Sequence, residues 1–205
     1  MSQASRELIV ATSNPGKLRE IRGLLGELPV ELRGLERVPG LVLPEEGDDY
    51  AVNAAAKALA VARAAGCLAL ADDSGLEVAG LGGAPGPRSA RFGGPGLNDL
   101  DRVRALLAAL AGATGAARAA RFVCVFALAT PQGRVVTTRG ECRGRILEAS
   151  RGTGGFGYDP IFVAAGMQVS FAELSEAEKS RLSHRGNAVR ALIPELRRVV
   201  EGTLV

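Results

Sequence analysis

The run LIVATSNPGKLREIRGLL, residues 8–25, decides the fold class. Its first four residues form a short apolar stretch, which is typical of a buried strand. Leucine and isoleucine then recur at helical spacing from Leu18 to Leu28, which predicts a helix. Between them, residues 12–17 hold two hydroxyls, an amide, a proline, a glycine and a lysine. A buried strand followed at once by a helix indicates an α/β fold.

The polar turn has the chemistry of an anion site. Ser13 or Asn14 can cap the helix, and Pro15 suits its first turn. The free N–H groups and positive end of the helix favour an anion, and Lys17 adds a full charge. An ordinary capped turn with a solvated lysine explains this stretch alone equally well. The turn is not a Walker A loop, because Leu18 stands where that motif has a hydroxyl.

Length and element order give the architecture. Strand and helix patterns alternate in the first half, and a hairpin signal at residues 130–133 follows. We therefore predict a mixed central β-sheet flanked by helices. The 205 residues are treated as a single α/β domain, 1–205, with two lobes and the active-site cleft between them.

Composition excludes several classes of protein. A net charge of +3 and 4% aromatic residues disfavour a nucleic-acid-binding surface. No apolar run is long enough for a signal peptide or a membrane span, so no membrane partner is expected. The three cysteines have no C-x-x-C spacing, which favours reduced thiols in a cytoplasmic protein and gives no sign of a zinc site.

The remaining elements follow from local patterns. Helices are predicted at residues 50–65, closed by Gly66, and from the Asn98 cap to about residue 111. A helical region from Ser175 to about residue 201 should be kinked or interrupted at Pro194. Strands are predicted at residues 30–35, 67–71, 121–129, 134–141, 144–148 and 161–163.

Acidic residues mark the most specific chemistry. Asp72 and Asp73 follow the apolar run of residues 67–71, at the predicted end of a strand where α/β proteins gather ligands. Two carboxylates there can hold a hard cation or activate water, although a simple Asp-Ser-Gly turn is the competing interpretation. Glu45 and Glu46 are a second source of metal oxygens, or else part of a solvated acidic loop.

Two further runs contain candidate functional residues. In GTGGFGYDP, residues 152–160, glycines let backbone approach a ligand closely, and Phe156 can stack on a ring or pack in the core. In EKSRLSHRGNA, residues 178–188, the only histidine, His184, lies in a polar segment. Only three of 25 basic residues are lysine, which sets Lys17, Lys57 and Lys179 apart in an arginine-rich chain.

Taken together, the motifs resemble one family, the inosine triphosphate pyrophosphatases. The matching runs occur in order over nearly the whole chain: ATSNPGKLREI, NAAAKA, ADDSGLEV, LGGAPGPRSARF, GTGGFGYDPIF and EKSRLSHRGNA. Five or six ordered motifs are far more specific than any one of them. The chain departs from the family at Val52, where relatives often carry an acidic residue, and around Glu45, where the match is poor.

The resemblance implies a role for each matched residue. It implies that the turn of residues 12–17 contacts the triphosphate, that Glu45 and Asp73 bind Mg²⁺, and that Asp73 is also the proton acceptor. Glu46 stays open as the alternative metal ligand, and Asp72 as the alternative base. The substrate-binding residues implied by the resemblance are Thr12, Ser13, Asn14, Pro15, Gly16, Lys17, Lys57, Ser74, Phe156, Gly157, Tyr158, Asp159, Lys179, His184 and Arg185.

The implied reaction is hydrolysis of a purine nucleoside triphosphate between the α and β phosphates. The resemblance implies the non-standard nucleotides ITP, dITP and XTP as substrates, Phe156 stacking on the base, and a homodimer. Donors aimed at the 6-oxo group would be opposed by the 6-amino group of adenine, and His184 and Arg185 are the candidates. The alternatives are a non-catalytic nucleotide sensor and a phosphatase that releases orthophosphate.

Overall fold

The structure is a computed structural model that describes residues 6–26 and 28–200. Its internal contacts divide the chain into two compact units. Unit 1 takes the described residues within Met1–Asp73, Val125–Arg139 and Ala188–Val205, and unit 2 takes Ser74–Cys124 and Gly140–Asn187. The single domain over residues 1–205, and the cleft between two lobes, stay predictions.

The elements are as follows. The strands are β1 (Arg6–Val10), β2 (Val30–Arg33), β3 (Leu68–Val78), β4 (Pro85–Gly86), β5 (Ala119–Ala129), β6 (Val135–Ile146) and β7 (Phe162–Ala164). The helices are α1 (Pro15–Leu25), α2 (Tyr50–Ala65), α3 (Asp99–Ala109), α4 (Glu176–Leu182) and α5 (His184–Val200), with short 3₁₀ turns between elements.

The sheet is mixed, which confirms the predicted α/β class. Its strand order is β2-β1-β3-β5-β6-β7, with β4 beside β3. Strand β1 is parallel to β2 and to β3, whereas β4 on β3 and β7 on β6 are antiparallel. Strands β3, β5 and β6 each contribute residues to both units.

Local sequence signals place the first two helices correctly. Of the two predicted caps for α1, Asn14 is the one used, and its side chain accepts the N–H groups of Gly16 and Lys17. Helix α2 begins after the Asp49 cap and ends at Gly66, which has a left-handed φ of 69°. Both predicted boundaries of α2 are confirmed.

Strand β3 is longer than predicted. The sequence prediction ended the strand at residue 71 because carboxylates follow, but β3 continues through Asp72 and Asp73 to Val78. Both aspartates are buried, at 2% and 3% exposure. Carboxylates remain inside a buried strand only where polar partners meet them, and both have such partners here.

Strand β6 replaces two predicted strands. Residues 134–141 and 144–148 were predicted to be separate, yet a single strand covers Val135–Ile146. Gly144 begins the second of the two predicted strands, and in the structure it lies inside β6. It allows β6 and β7 to pack closely, because a Cβ there would lie 2.1 Å from the Val163 carbonyl oxygen on β7.

The C-terminal helical region is interrupted at a different residue from the one predicted. Helix α5 continues through Pro194, and the break lies at Ser183, between α4 and α5. Ser183 has extended backbone angles, and its hydroxyl accepts the Gly186 N–H at 3.0 Å, which favours a new helix start. The helix start predicted at Ser175 is confirmed, and a Ser175–Glu178 capping box opens α4. The predicted end near residue 201 lies outside the described residues.

The core of unit 2 contains a cluster of aromatic rings among aliphatic side chains. The rings of Phe122, Phe162 and Phe171 pack with centroid distances of 4.6–6.0 Å. Cys124 and Cys142 are buried, and all three cysteines are free thiols. In the part of the chain that the structure describes, no helix has the length and apolar character needed to cross a membrane.

Candidate functional site

The strand-to-helix turn of residues 12–17 forms a capped helix start beside a buried carboxylate. Thr12 Oγ1 accepts the Asn14 N–H at 3.2 Å, and Asn14 Oδ1 accepts the N–H groups of Gly16 and Lys17 at 2.9 and 3.1 Å. The Lys17 ammonium lies 2.9 Å from Asp72 Oδ2. Ser13, Asn14 and Pro15 are exposed. The turn therefore presents a positive helix end and a lysine at the surface of unit 1.

Asp73 lies in a polar but desolvated position. Its Oδ2 accepts a hydrogen bond from Asn53 Nδ2 at 2.8 Å, and its Oδ1 lies 3.8 Å from Lys57 Nζ. Burial raises the pKa of Asp73 from 3.8 to about 6, against the lowering effect of Lys57 and Asn53. A carboxyl with a pKa near 6 can take up a proton close to neutral pH.

The acidic loop before α2 reaches this position through Glu46. The Glu46 carboxylate lies 2.5 Å from Lys57 Nζ, so one ammonium is shared by Glu46 and Asp73. Glu45, the metal ligand implied by the resemblance, is exposed. Of the two glutamates left open by the sequence, the structure brings Glu46 to Asp73.

Asn53 is a site residue that the sequence analysis left without a role. Its amide bonds Asp73 and exchanges two hydrogen bonds with the backbone of Gly47, at 2.8 and 3.0 Å. It thereby ties the acidic loop to β3. The available signal was spacing alone, because Asn53 lies four residues before Lys57 and therefore on the same face of the predicted helix.

These side chains form what we call the unit 1 cluster: Lys17, Glu46, Lys57, Asp72 and Asp73. Within the described ranges 6–26 and 28–200, no three His, Cys, Asp or Glu side chains come together as a ready metal cluster. Magnesium usually takes only one or two protein carboxylates, with phosphates and water completing its shell. Glu46 and Asp73 already share one cation, the Lys57 ammonium, so this pair of hard oxygen donors fits a divalent metal.

The glycine-rich loop after β6 is closed by its own aspartate. Asp159 Oδ2 accepts the Phe156 N–H at 2.8 Å and lies 2.5 Å from Lys179 Nζ. Asp159 and Lys179 are both buried. The Lys179 ammonium lies 4.7 Å from the centroid of the Phe156 ring, and the Arg185 guanidinium carbon lies 5.5 Å from it. The ring itself is half-buried.

Tyr158 anchors the same loop from its other side. Its hydroxyl donates to the Ser89 carbonyl oxygen at 2.9 Å, and burial raises the pKa of the phenol. The Ser89 hydroxyl in turn donates to Gly86 and accepts the Leu76 N–H. Tyr158 is thus a buried anchor of the loop, with its hydroxyl already bonded.

His184 and Arg185 begin α5 inside unit 2. His184 is 4% exposed, and its ring stacks on Phe122 at a centroid distance of 4.6 Å and an interplanar angle of 12°. The polar sequence around His184 argued against burial, and the structure buries it. Arg185 is also buried and donates from Nη2 to Ser74 Oγ at 3.5 Å. The unit 2 cluster is Phe156, Asp159, Lys179, His184 and Arg185.

The fold and these two clusters define an α/β protein with a capped helix start beside a lysine, paired buried carboxylates and an aromatic loop flanked by cations. A sequence model of the Ham1 family matches residues 8–195, so the chain belongs to the Ham1 family. The resemblance drawn from the ordered motifs is confirmed.

Relatives match over most of the chain. A dITP/XTP pyrophosphatase from Gloeobacter violaceus is 51% identical, covering 92% of this chain and 93% of the relative. A dITP/XTP pyrophosphatase from Syntrophobacter fumaroxidans is 49% identical, covering 95% and 83%. The solved structure of a HAM1 protein from Coxiella burnetii has a TM-score of 0.85 at 37% identity, covering 94% and 99%.

Proposed function

We propose that this protein hydrolyses non-standard purine nucleoside triphosphates, namely dITP, XTP and ITP, to the monophosphate and pyrophosphate. Two relatives that are about half identical over nearly the whole chain are dITP/XTP pyrophosphatases, which supports this assignment. It is also the enzyme class predicted from the sequence. The reaction would remove such nucleotides from the pool used for polymerisation.

One observation carries the proposal. The capped start of α1 places Lys17 2.9 Å from Asp72, which is the neighbour in β3 of the desolvated Asp73. Helix N–H groups and an ammonium bind phosphate oxygens, and the adjoining carboxylates supply a base and metal oxygens. Few ligands other than a metal-bound polyphosphate require helix N–H groups, an ammonium and adjoining carboxylates in a single site.

A divalent metal is part of the proposal, and Mg²⁺ is the metal we propose. Asp73 and Glu46 would hold it, with Glu45 as the alternative to Glu46. When bound, the metal would neutralise phosphate charge and polarise the phosphoanhydride. Lys17 and Lys57 add fixed positive charge to the same cluster.

Asp73 is the proposed proton acceptor. Its raised pKa, of about 6, suits transfer of a proton from water near neutral pH. Asp72 is the weaker candidate because its carboxylate is paired with Lys17. We assign Asp72 the task of orienting the Lys17 ammonium, which stabilises charge on the leaving pyrophosphate.

The unit 2 cluster is the proposed base site. Phe156 offers a ring for stacking, and Lys179 and Arg185 are cationic donors with Nζ and Cζ at 4.7 and 5.5 Å from the centroid of that ring. A 6-oxo purine accepts from such donors, whereas the 6-amino group of adenine opposes them. The His184 ring is buried against Phe122, so Arg185 is the stronger of these two candidates for contacting the base.

The expected homodimer and cytoplasmic location stay proposals, as does the absence of nucleic-acid and membrane partners. Size-exclusion chromatography with light scattering tests the first. The free thiols are compatible with a reducing compartment.

Product analysis tests the function. Purified protein with Mg²⁺ is given ITP, dITP, XTP, GTP or ATP, and pyrophosphate and orthophosphate are measured separately. We expect pyrophosphate and monophosphate from ITP, dITP and XTP, far above ATP and GTP. Orthophosphate alone would indicate a terminal phosphatase, and tight binding without turnover would indicate a sensor.

A further inference from the structure

The base-side loop is tied at two adjacent backbone amides by two carboxylates. The Phe156 N–H donates to Asp159 Oδ2, and the Gly157 N–H donates to Asp99 Oδ2, each at 2.8 Å. Asp159 belongs to the loop, whereas Asp99 is the first residue of α3 and lies 58 positions before Gly157 in the chain. Gly157 has a left-handed φ of 61°, a backbone conformation that glycine adopts without a steric penalty.

Asp99 is oriented for this contact. Its other oxygen, Oδ1, accepts from Arg102 Nη1 at 2.8 Å, one turn further along α3. The two oxygens therefore have separate tasks. Arg102 fixes the carboxylate, and Oδ2 accepts the loop amide.

The other parts of the loop are also fixed. Tyr158 is bonded to Ser89, and Asp159 to Lys179. Gly155 has no room for a side chain, because a Cβ would lie 2.1 Å from Asp159 Oδ2. In the Phe156–Gly157 peptide, the Phe156 carbonyl oxygen accepts the Asp159 N–H at 3.3 Å within the loop, and the Gly157 N–H is the group that Asp99 ties to α3.

We propose that Asp99 is a positioning residue for the base: by holding the Gly157 amide, it keeps the Phe156 ring ready to stack on a purine. The idea rests on the proposed function, because it deepens the role of the same loop. Asp99 does not touch the substrate in this account. It acts through Gly157 and Phe156.

This role predicts a specific kinetic signature. Loss of the hydrogen bond in Asp99→Ala should raise KM for ITP and for XTP by about 3–10-fold, which is the change expected when the net free energy of one hydrogen bond is lost. The kcat stays unchanged, since the unit 1 cluster is intact. The ITP to XTP preference stays the same, because stacking does not read the edge of the base. Competitive inhibition by inorganic tripolyphosphate, which has no base, also stays the same.

The same helix offers a matched control. Asp101 carries the same charge in the first turn of α3, and it bonds the Asn98 N–H and Arg104 rather than the loop. Asp101→Ala therefore loses helix capping and charge without loss of the loop contact. Asp99→Asn is the rescue variant, because its amide oxygen can still accept the Gly157 N–H.

The test compares the wild type with Asp99→Ala, Asp99→Asn and Asp101→Ala by steady-state kinetics and by amide hydrogen exchange at residues 156–157. We expect raised KM and faster exchange in Asp99→Ala alone. A wild-type KM in Asp99→Ala, or an equal rise in Asp101→Ala, overturns the proposal. If even the wild type releases no pyrophosphate, the proposed function fails. ITP affinity by calorimetry then replaces KM, and unchanged exchange in Asp99→Ala overturns the positioning role.

Discussion

The two clusters use buried lysines in different ways. In unit 1, Lys57 contacts two carboxylates, Glu46 and Asp73. In unit 2, Lys179 pairs with the Asp159 carboxylate and lies over the rings of Phe156 and Phe171 at 4.7 and 5.9 Å. The first arrangement is an excess of negative charge around one cation, and the second is a neutral pair lined by aromatic rings.

That difference indicates what each cluster can do. Excess carboxylate can accept a second cation, so the unit 1 cluster should respond to metal and to pH. A neutral pair against rings has little to gain from a metal, so the unit 2 cluster should respond to the size and stacking of the base. Each of the following predictions tests one side of this contrast.

The largest effect is expected for Asp73→Asn. An amide cannot accept the proton from water, so kcat should fall by about 10²–10⁴-fold. The shape of the side chain is kept, and the circular dichroism spectrum should not change. Pyrophosphate release from XTP is the measurement, with Asp48→Asn in the exposed acidic loop as the control. Normal turnover in Asp73→Asn would remove this residue from the mechanism.

The next largest effect is expected for Lys179→Met, and it is a loss of stability rather than a loss of turnover. It removes the ammonium from a carboxylate with 4% side-chain exposure, and breaking such a buried pair costs about 3–5 kcal/mol. The exposed pair Arg198–Glu195 is the comparison, and Arg198→Met should cost less than about 1 kcal/mol. Denaturant unfolding of the three proteins gives both values. Equal costs would mean that the unit 2 pair is as solvated as a surface pair.

Only those parts of the two clusters that depend on neighbouring residues in the chain could be predicted from the sequence. The Asn14 and Asp49 caps and the left-handed Gly66 are read from neighbouring residues, so α1 and α2 could be predicted. The continuation of β3 could not, because it depends on Lys17 and Asn53, which reach the aspartates from other elements. A local pattern contains no information on which distant side chain will neutralise a buried charge.

The same limit applies to residues whose function the sequence missed or misplaced. His184 lies in a polar segment, and only the fold reveals the Phe122 ring that covers it. In the sequence, Asp99 is an ordinary acidic residue of a helix first turn, and only the structure shows that its Oδ2 accepts the Gly157 N–H. Glu45 and Glu46 are adjacent in sequence, and only the path of the loop, fixed by Asn53, separates them.

The next prediction concerns pH. Because burial raises the pKa of Asp73 to about 6, the folded protein holds this proton more tightly than the unfolded chain does. The resulting stabilisation is present below the unfolded pKa near 3.8 and is lost as pH rises through about 6. Without metal, Asp73→Asn should therefore be more stable than the wild type at neutral pH, by up to about 3 kcal/mol.

Urea unfolding in the presence of a chelator checks this expectation at two pH values. The difference between Asp73→Asn and the wild type should be small near pH 4 and reach its maximum above about pH 7, where the wild-type carboxylate is fully ionised. A constant difference across this range would mean that Asp73 keeps an ordinary pKa. The two clusters would then differ in their net charge and not in the pKa of a buried carboxyl group.

The smallest expected effect separates two neighbouring glutamates. Glu46→Gln removes a carboxylate that shares Lys57 with Asp73, so the Mg²⁺ concentration for half-maximal rate should rise by at least about tenfold. Glu45→Gln has the same chemistry one residue away at an exposed position, and it should leave the metal dependence unchanged. A magnesium titration of XTP hydrolysis measures both. The reverse result would assign the metal to Glu45, as the family resemblance implied. The acidic loop would then have to rearrange when the metal binds, while Lys57 remained paired with Glu46.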